Sequence, residues 1–392
     1  MKKLFTGYDY TLIVAPILLS LFGIMMIYSA SMVSTTIDGL EDTYYLFKQL
    51  SWFVLGLIGF LFCSIFPYRH YQRFIVPIVI VSLLLLVAVI FFGHEEHNAQ
   101  RSMSILGMNI QPSEFVKLTL IIYLASVYSK KQKYINNFVR GVLPPLVVTV
   151  GMVGLIIMQP DIGTSSIILL VVATIIISSG VQLKHILFLF SLAVGAMLLV
   201  IPSMITDTRI ARFTGAYHPF LDPDDKGYHL IQSYLAIGGG GLGGEGLGQS
   251  IQKLGYLWGA HTDFIMSVIV EELGIFGMIF VIGMFILITL RGLFIAKKCP
   301  DAFGSLMAIG ISSMIAFQAI INLGAISGLF PITGVTLPFI SYGGSSLFVL
   351  LISMGILNNI ARYVKLKETE PKVIEKTPIN NHKERRGTTW TN

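Results

Sequence analysis

The chain has 392 residues, of which 54% are hydrophobic and only 12% charged, with a net charge of +6. Such a composition predicts an all-α polytopic membrane protein and leaves no room for a separate soluble domain. The excess of basic groups needs no nucleic-acid partner, because Lys and Arg beside an anionic membrane leaflet gain roughly 1 kcal/mol each from the lipids.

A helix needs about 20 apolar residues to cross a hydrocarbon core. Runs of that kind predict ten transmembrane helices, near 11–32, 46–66, 74–92, 113–129, 141–158, 161–180, 185–203, 264–295, 303–326 and 341–362. The first run follows Lys2 and Lys3 without a small-residue cleavage pattern, so it reads as a retained span rather than a signal peptide. Arg69, Arg73, Lys130, Lys131, Lys133, Arg140, Lys184, Arg291, Lys297 and Lys298 all fall on the side of the N-terminus. Basic loops stay cytoplasmic, so both termini are expected inside and a large extracellular loop, 204–262, is expected between helices 7 and 8. Residues 1–10 are then a cytoplasmic N-terminus and 11–363 a ten-helix membrane domain. Residues 364–392 form a basic cytoplasmic tail with too few large apolar groups to fold alone. Cys63 lies in a span and Cys299 on the cytoplasmic side, so no disulfide is expected between them.

Charged groups within spans cost at least ~2.5 kcal/mol to insert, so each is a functional candidate. In chain order, Glu114 and Lys117 stand three apart on one face of the fourth helix. They form either a structural ion pair or, at Lys117, a ligand for a phosphate reaching in from the outer interface. Asp161, in QPDIGTS, is placed to cap the sixth helix. In the outer loop, Tyr228 to Ile237 has helical spacing and suits a short interfacial helix, while 222–226 reads as an Asp-Pro turn. The run GGGGLGGEGLG contains a formal GxGxxG at Gly241, Gly243 and Gly246. Without a preceding strand it indicates a tightly turning backbone rather than a nucleotide site. Asp263, at the border between loop and eighth helix, is as well placed to cap that helix as to do chemistry. His261, Lys253, Arg209, Arg212, Arg101 and Lys117 are the cations that could converge with it on one anionic site. One of Glu271 and Glu272 is expected to face a polar cavity or a cation such as Lys117. Gly343, Gly344, Ser345 and Ser346 bring small residues to the start of the last helix, for close packing or to present polar groups to a ligand.

Six separated segments resemble the SEDS family of cell-wall polymerases, the FtsW and RodA type, over essentially the whole span region. They are QPSEFVK (111–117), QPDIGT (159–164), RFTGAYHPFLDP (212–223), GGGGLGGEGLGQSIQKLGYL (238–257), HTDFI with EELG (261–265 and 271–274) and PFISYGGSSL (338–347). KLGYL and the basic tail are more similar to the FtsW branch. Three departures stand out: Ser102 after Arg101 where the family has Trp, Trp258-Gly259-Ala260 where a Pro-Glu pair precedes the His, and Met266 where an aromatic is common.

What the resemblance implies is a lipid II polymerase in the bacterial cytoplasmic membrane, releasing undecaprenyl pyrophosphate at the outer face and serving the division septum. Asp263 would be the catalytic general base. Arg212, Arg101 and Lys117 would steady the leaving diphosphate, with Glu114, His261, Lys253 and Ser345 completing the substrate site. No cofactor is required, although a divalent cation could share the diphosphate's charge. A class B penicillin-binding transpeptidase, other divisome proteins and membrane lipids are the expected partners. A lipid II flippase, a RodA-type elongation polymerase and a non-catalytic scaffold are the rival readings.

Overall fold

The structure, a computed structural model, describes residues 7–37, 39–96, 99–105, 107–204 and 213–369. Arg209, Arg212 and the tail from 370 onward therefore lie outside the described residues.

All ten expected spans fall on helices. They are α1 (Tyr10–Ile37), α2 (Tyr44–Ile65), α3 (Ile75–Phe92), α4 (Pro112–Lys130), α5 (Leu143–Met158), α6 (Ile162–Ser178), α7 (Leu183–Met204), α9 (Ile265–Lys298), α10 (Ala302–Ile326) and α11 (Gly344–Thr369). Between α7 and α9 lies the short helix α8 (Tyr228–Gly240), where helical spacing predicted one. Among the described residues seven of the ten are long and apolar enough to cross a membrane by length and composition, α5 together with the π-helical turn Phe138–Val142 that leads into it. The other three are α6 and α7, apolar but shorter there, and α4, which carries Glu114 and Lys117.

Two features depart most from expectation. Helix α11 runs to Thr369, past the expected end at 362, because nothing in ARYVKLKET breaks a helix. Between the third and fourth helices, where no element was predicted, lies a small antiparallel sheet of β1 (His94–Glu96), β2 (Ala99–Ile105) and β3 (Met108–Ile110), in the order β1-β2-β3. In the register of the second hairpin, Met103 faces Ile110 and Ile105 faces Met108.

Helix α10 runs through the interior, with Met307, Ala308, Ile311, Met314 and Ile315 fully buried. Helix α3 is peripheral: only Ile75, Ser82, Leu86 and Val89 are buried, and Phe91 and Phe92 stand open at its end. An outer surface this rich in exposed Leu, Phe, Ile and Val is a surface for lipid. Lipid tails are as apolar as the side chains, so helices associate here through close packing of small residues. Gly344 shows the need, since a Cβ there would overlap the indole of Trp52 on α2.

The glycine-rich stretch after α8 is docked on a break in α9. Gly274 sits at φ 64, ψ −154 inside that helix, which takes the preceding carbonyls out of the helical ladder. Backbone amides of the glycine stretch bond two of them: Glu245 N donates to Glu271 O at 2.9 Å, and Gly246 N donates to Glu272 O at 3.0 Å. Unpaired backbone groups at membrane depth would cost several kcal/mol each, and this is how the break is tolerated. Contact this close needs glycine. A Cβ at Gly240 would overlap the Val270 carbonyl, one at Gly244 would overlap the Glu272 carbonyl, and one at Gly274 would lie 2.5 Å from Leu242 O.

Candidate active site around Asp263

Asp263 lies in a series of turns that ends at Phe264, the residue before helix α9. The cap position belongs to Phe264, which makes no side-chain cap bond, so capping α9 does not account for the carboxylate. Its backbone is fixed from two directions. Asn322 Nδ2, on α10, donates to Asp263 O and to Val335 O, both at 2.8 Å. From within the turn, Phe264 N donates to Gly259 O at 3.2 Å. Thr262 Oγ1 stands 2.9 Å from Asp263 Oδ1 and 3.1 Å from Gly259 O, so its single proton serves one or the other. Gly259, at φ +73, leaves the room that the carboxylate occupies: a Cβ there would lie 2.7 Å from Asp263 Oδ1. The side chain is half-buried rather than sealed in the core.

His261 is next to it and is wedged among aromatic rings, 4.5 Å from the Tyr45 centroid and 5.8 Å from that of Tyr342. Its carbonyl accepts from Tyr342 N at 2.9 Å, which ties the turn to the segment leading into α11. A second histidine, His229 on α8, lies within reach of the Asp263 charge and 6.2 Å, ring to ring, from Phe264. Sequence reasoning passed over it, because a single His at the start of an amphipathic helix carries no signal of its own.

The face of α10 that holds Asp263 through Asn322 also holds Lys117 through Gln318, one turn earlier. Lys117 Nζ donates to Gln318 Oε1 at 3.0 Å and pairs with Glu114 Oε2 at 2.7 Å. Gln318 Nε2 reaches Thr336 O at 3.0 Å and Ser346 Oγ at 3.3 Å. Two amides four residues apart inside an otherwise apolar span, Gln318 and Asn322, were the available signal for this face. Nearby, Ser345 Oγ accepts from Gln111 N and donates to Asn109 O, joining α11 to the β3–α4 junction. Asp161 caps α6 as expected, accepting from Thr164 N at 3.2 Å, and its Oδ2 accepts from Gln111 and Ser113 at 3.1 Å each.

Among the described residues, Lys253, Lys117 and Arg101 are each held by partners of their own. Lys253 is buried and donates to Glu272 Oε1 at 2.8 Å and to Ser29 Oγ at 2.9 Å, so it serves the fold rather than a substrate. Glu272 thus faces a cation, but that cation is Lys253 and not Lys117. Glu271 instead accepts from the Ser250 hydroxyl and from the amides of Ile251 (2.8 Å) and Gln252 (3.3 Å). Lys117 is 3% exposed and takes the ion-pair role with Glu114. The cavity beside it is about 10 Å³, space for one water and not for a phosphate. Arg101 reaches the turn before Asp161, donating to Pro160 O at 3.2 Å. Near the loop a groove of about 500 Å³ is lined by Tyr217, Phe220, Leu221 and Tyr234, adjoining the segment that leads on from Arg212.

Residues 10–366 match the FtsW/RodA/SpoVE family, described as cell cycle proteins. The "Probable peptidoglycan glycosyltransferase FtsW" of Bacillus subtilis (strain 168) is 49% identical, with 95% of each chain covered. "Stage V sporulation protein E" of the same organism is 38% identical over 91% of this chain and 98% of its own. Among solved structures, one described as "Structural coordination of polymerization and crosslinking by a peptidoglycan synthase complex" superposes with a TM-score of 0.75. It is 26% identical and covers 92% of this chain and 99% of its own. The rod shape determining protein RodA of Thermus thermophilus superposes with a TM-score of 0.66 at 26% identity, covering 91% of this chain and 98% of its own. With its helices, its broken α9 and its Asp263 turn in place, the chain belongs to the FtsW/RodA/SpoVE family of multi-pass membrane cell cycle proteins.

Proposed function

We propose that this chain is a peptidoglycan glycosyltransferase that polymerises lipid II into glycan strands for the division septum. Both termini lie in the cytoplasm, and α8 with the Asp263 turn lies at the outer face of the cytoplasmic membrane. The observation that carries the proposal is a half-buried carboxylate that does not cap the helix beside it, with its backbone pinned by Asn322 and Thr262 Oγ1 2.9 Å from its Oδ1. The FtsW name of a relative 49% identical over nearly the whole chain supports the activity and the division role.

In the proposed reaction the acceptor sugar's 4-hydroxyl attacks the anomeric carbon of the donor from the side opposite the diphosphate, so configuration inverts. The hydroxyl proton passes to Asp263 as the new C–O bond forms. The bond to the diphosphate breaks, and undecaprenyl pyrophosphate departs with the electron pair. A placed general base supplies typically 10²–10⁴-fold. Fixed cations in a water-poor site steady the leaving charge. Arg212 and Arg101 take that role, with Lys117 acting at a remove through Gln318 and α10. His261 and Ser345 shape the edges of the site, and the groove beside Tyr217 and Phe220 suits an isoprenoid chain. A divalent ion enters the proposal only as a companion of the diphosphate. Among the described residues no group of three or more His, Cys, Asp or Glu is arranged to hold one. A class B penicillin-binding transpeptidase is the proposed partner, which the solved synthase complex supports.

The test supplies labelled lipid II to the purified protein, with its transpeptidase partner, and compares product length for wild type and Asp263→Asn. Polymer from wild type and none from the variant, with lipid II binding retained, is the expected result. Equal polymer from both removes Asp263 from the role of base, and lipid II crossing the bilayer without polymer identifies a flippase.

A further inference from the structure

We infer that His229 takes from Asp263 the proton that the carboxylate collects in each transfer, and so returns it to service as a base. This rests on the proposed role of Asp263 and adds to it a route for the proton.

The placement follows from two helices locked together one turn away. Ser233 Oγ on α8 and Ser267 Oγ on α9 are 2.8 Å apart, and Ser233 Oγ lies 3.0 Å from Ile326 O at the end of α10. His229 precedes Ser233 by one turn of α8, and its ring lies against Phe264, the residue that follows Asp263, close enough for the carboxylate's charge to act on it. The ring is flanked by Phe264 at 6.2 Å and Trp258 at 6.5 Å. Its Nδ1 is buried and has no hydrogen-bond partner among the described residues. A buried ring nitrogen left unbonded carries a desolvation cost, and a proton-exchanging partner is one arrangement that offsets it.

Burial pushes the His229 imidazole below its ordinary value, and the nearby Asp263 charge opposes that only in part. At neutral pH the ring is thus neutral and able to accept a proton. Other titratable groups on the elements around α8 are committed or removed. Glu271 and Glu272 on α9 are bound to Ser250 and Lys253. Helix α10 carries no ionisable side chain, the turn Pro219–Leu221 is bracketed by His218 and Asp222, and Tyr228 is the neighbour on α8 itself.

The proton balance is simple. After glycosyl transfer Asp263 is a carboxylic acid and His229 a neutral imidazole. An ordinary carboxyl titrates near ~3.9 and an ordinary imidazole near ~6.5; burial narrows that gap from the imidazole side, and the proposed transfer uses what remains of it. It leaves a carboxylate beside an imidazolium, which then loses its proton to water. His229 acts through Asp263 and is a positioning and relay residue, not a group that touches the sugar.

The experiment measures initial polymerisation rates against pH for the full chain with its transpeptidase partner and labelled lipid II. In wild type the rate should fall on acidification through a limb below ~6.5, as His229 arrives already protonated. His229→Gln should lower the neutral-pH rate on the order of tenfold, less than the 10²–10⁴ of the base itself, and should lose that limb. Added imidazole should restore His229→Ala but leave Asp263→Asn inactive. A His229→Gln profile that keeps the wild-type limb, or an H229A rate indifferent to imidazole, overturns the inference while the role of Asp263 stands. Polymer from Asp263→Asn is the separate result that removes the base.

Discussion

Removing the charge of Lys253 isolates a carboxylate deep in the fold. Lys253 Nζ is 2.8 Å from Glu272 Oε1, and the two side chains are 4% and 0% exposed. Among the described residues the other donor to that oxygen is Ser29 Oγ, at 2.7 Å. In Lys253→Met the Glu272 carboxylate keeps one neutral hydroxyl in place of a charge-assisted bond, with no access to solvent. Breaking a buried pair by deleting one partner costs about 3–5 kcal/mol, whereas replacing both by apolar groups of similar volume is often neutral. The double variant Lys253→Met with Glu272→Leu should therefore recover most of what the single variant loses. The assay is reversible unfolding of the purified chain in mixed micelles, titrating denaturing detergent and following helical circular dichroism. A single-variant loss under about 1 kcal/mol, the range of exposed pairs, would refute the reasoning, as would a double variant no better than the single.

Two further outcomes follow from backbone approach. Gly259→Ala places a methyl 2.7 Å from Asp263 Oδ1, at a φ of +73 that an L side chain resists. Polymerisation should drop by at least tenfold while the unfolding free energy falls by no more than about 1–3 kcal/mol, the range for a strained position; wild-type rates would disprove the tight fit. Gly240→Ala forces α8 off the Val270 carbonyl and loosens the glycine stretch docked on α9. Limited proteolysis should then cut within 241–250 well before it does in wild type, and an unchanged cleavage pattern would show that the docking tolerates the methyl.

Hydropathy is a local signal, and every one of the ten runs it marked is a helix, seven of them long and apolar enough to cross a bilayer, because crossing demands a sustained apolar run. The hairpins of 94–110 were illegible for the opposite reason: strands of three, seven and three residues exist only through their pairing with one another. Asp263 stood out because a carboxylate at the membrane border is costly, but its freedom from capping duty depended on where α9 begins. Lys253 misled, since its partners lie 19 residues away at Glu272 and 224 away at Ser29, and nothing in the loop's own composition points to either. Glu114 and Lys117 were legible as a pair from their spacing alone. Gln318 and Asn322 were visible as amides in an apolar helix, yet what they hold, a lysine and a main-chain carbonyl, required the fold.

The interruption at Gly274 makes α9 two rods in series rather than one. The rod next to Asp263 owes its alignment to α8 and the glycine stretch, not to the longer rod that runs on to Lys298. Positions 240, 244 and 274 consequently answer to mutation as a single unit, because a side chain at any one of them unseats the joint that the other two were shaped to close.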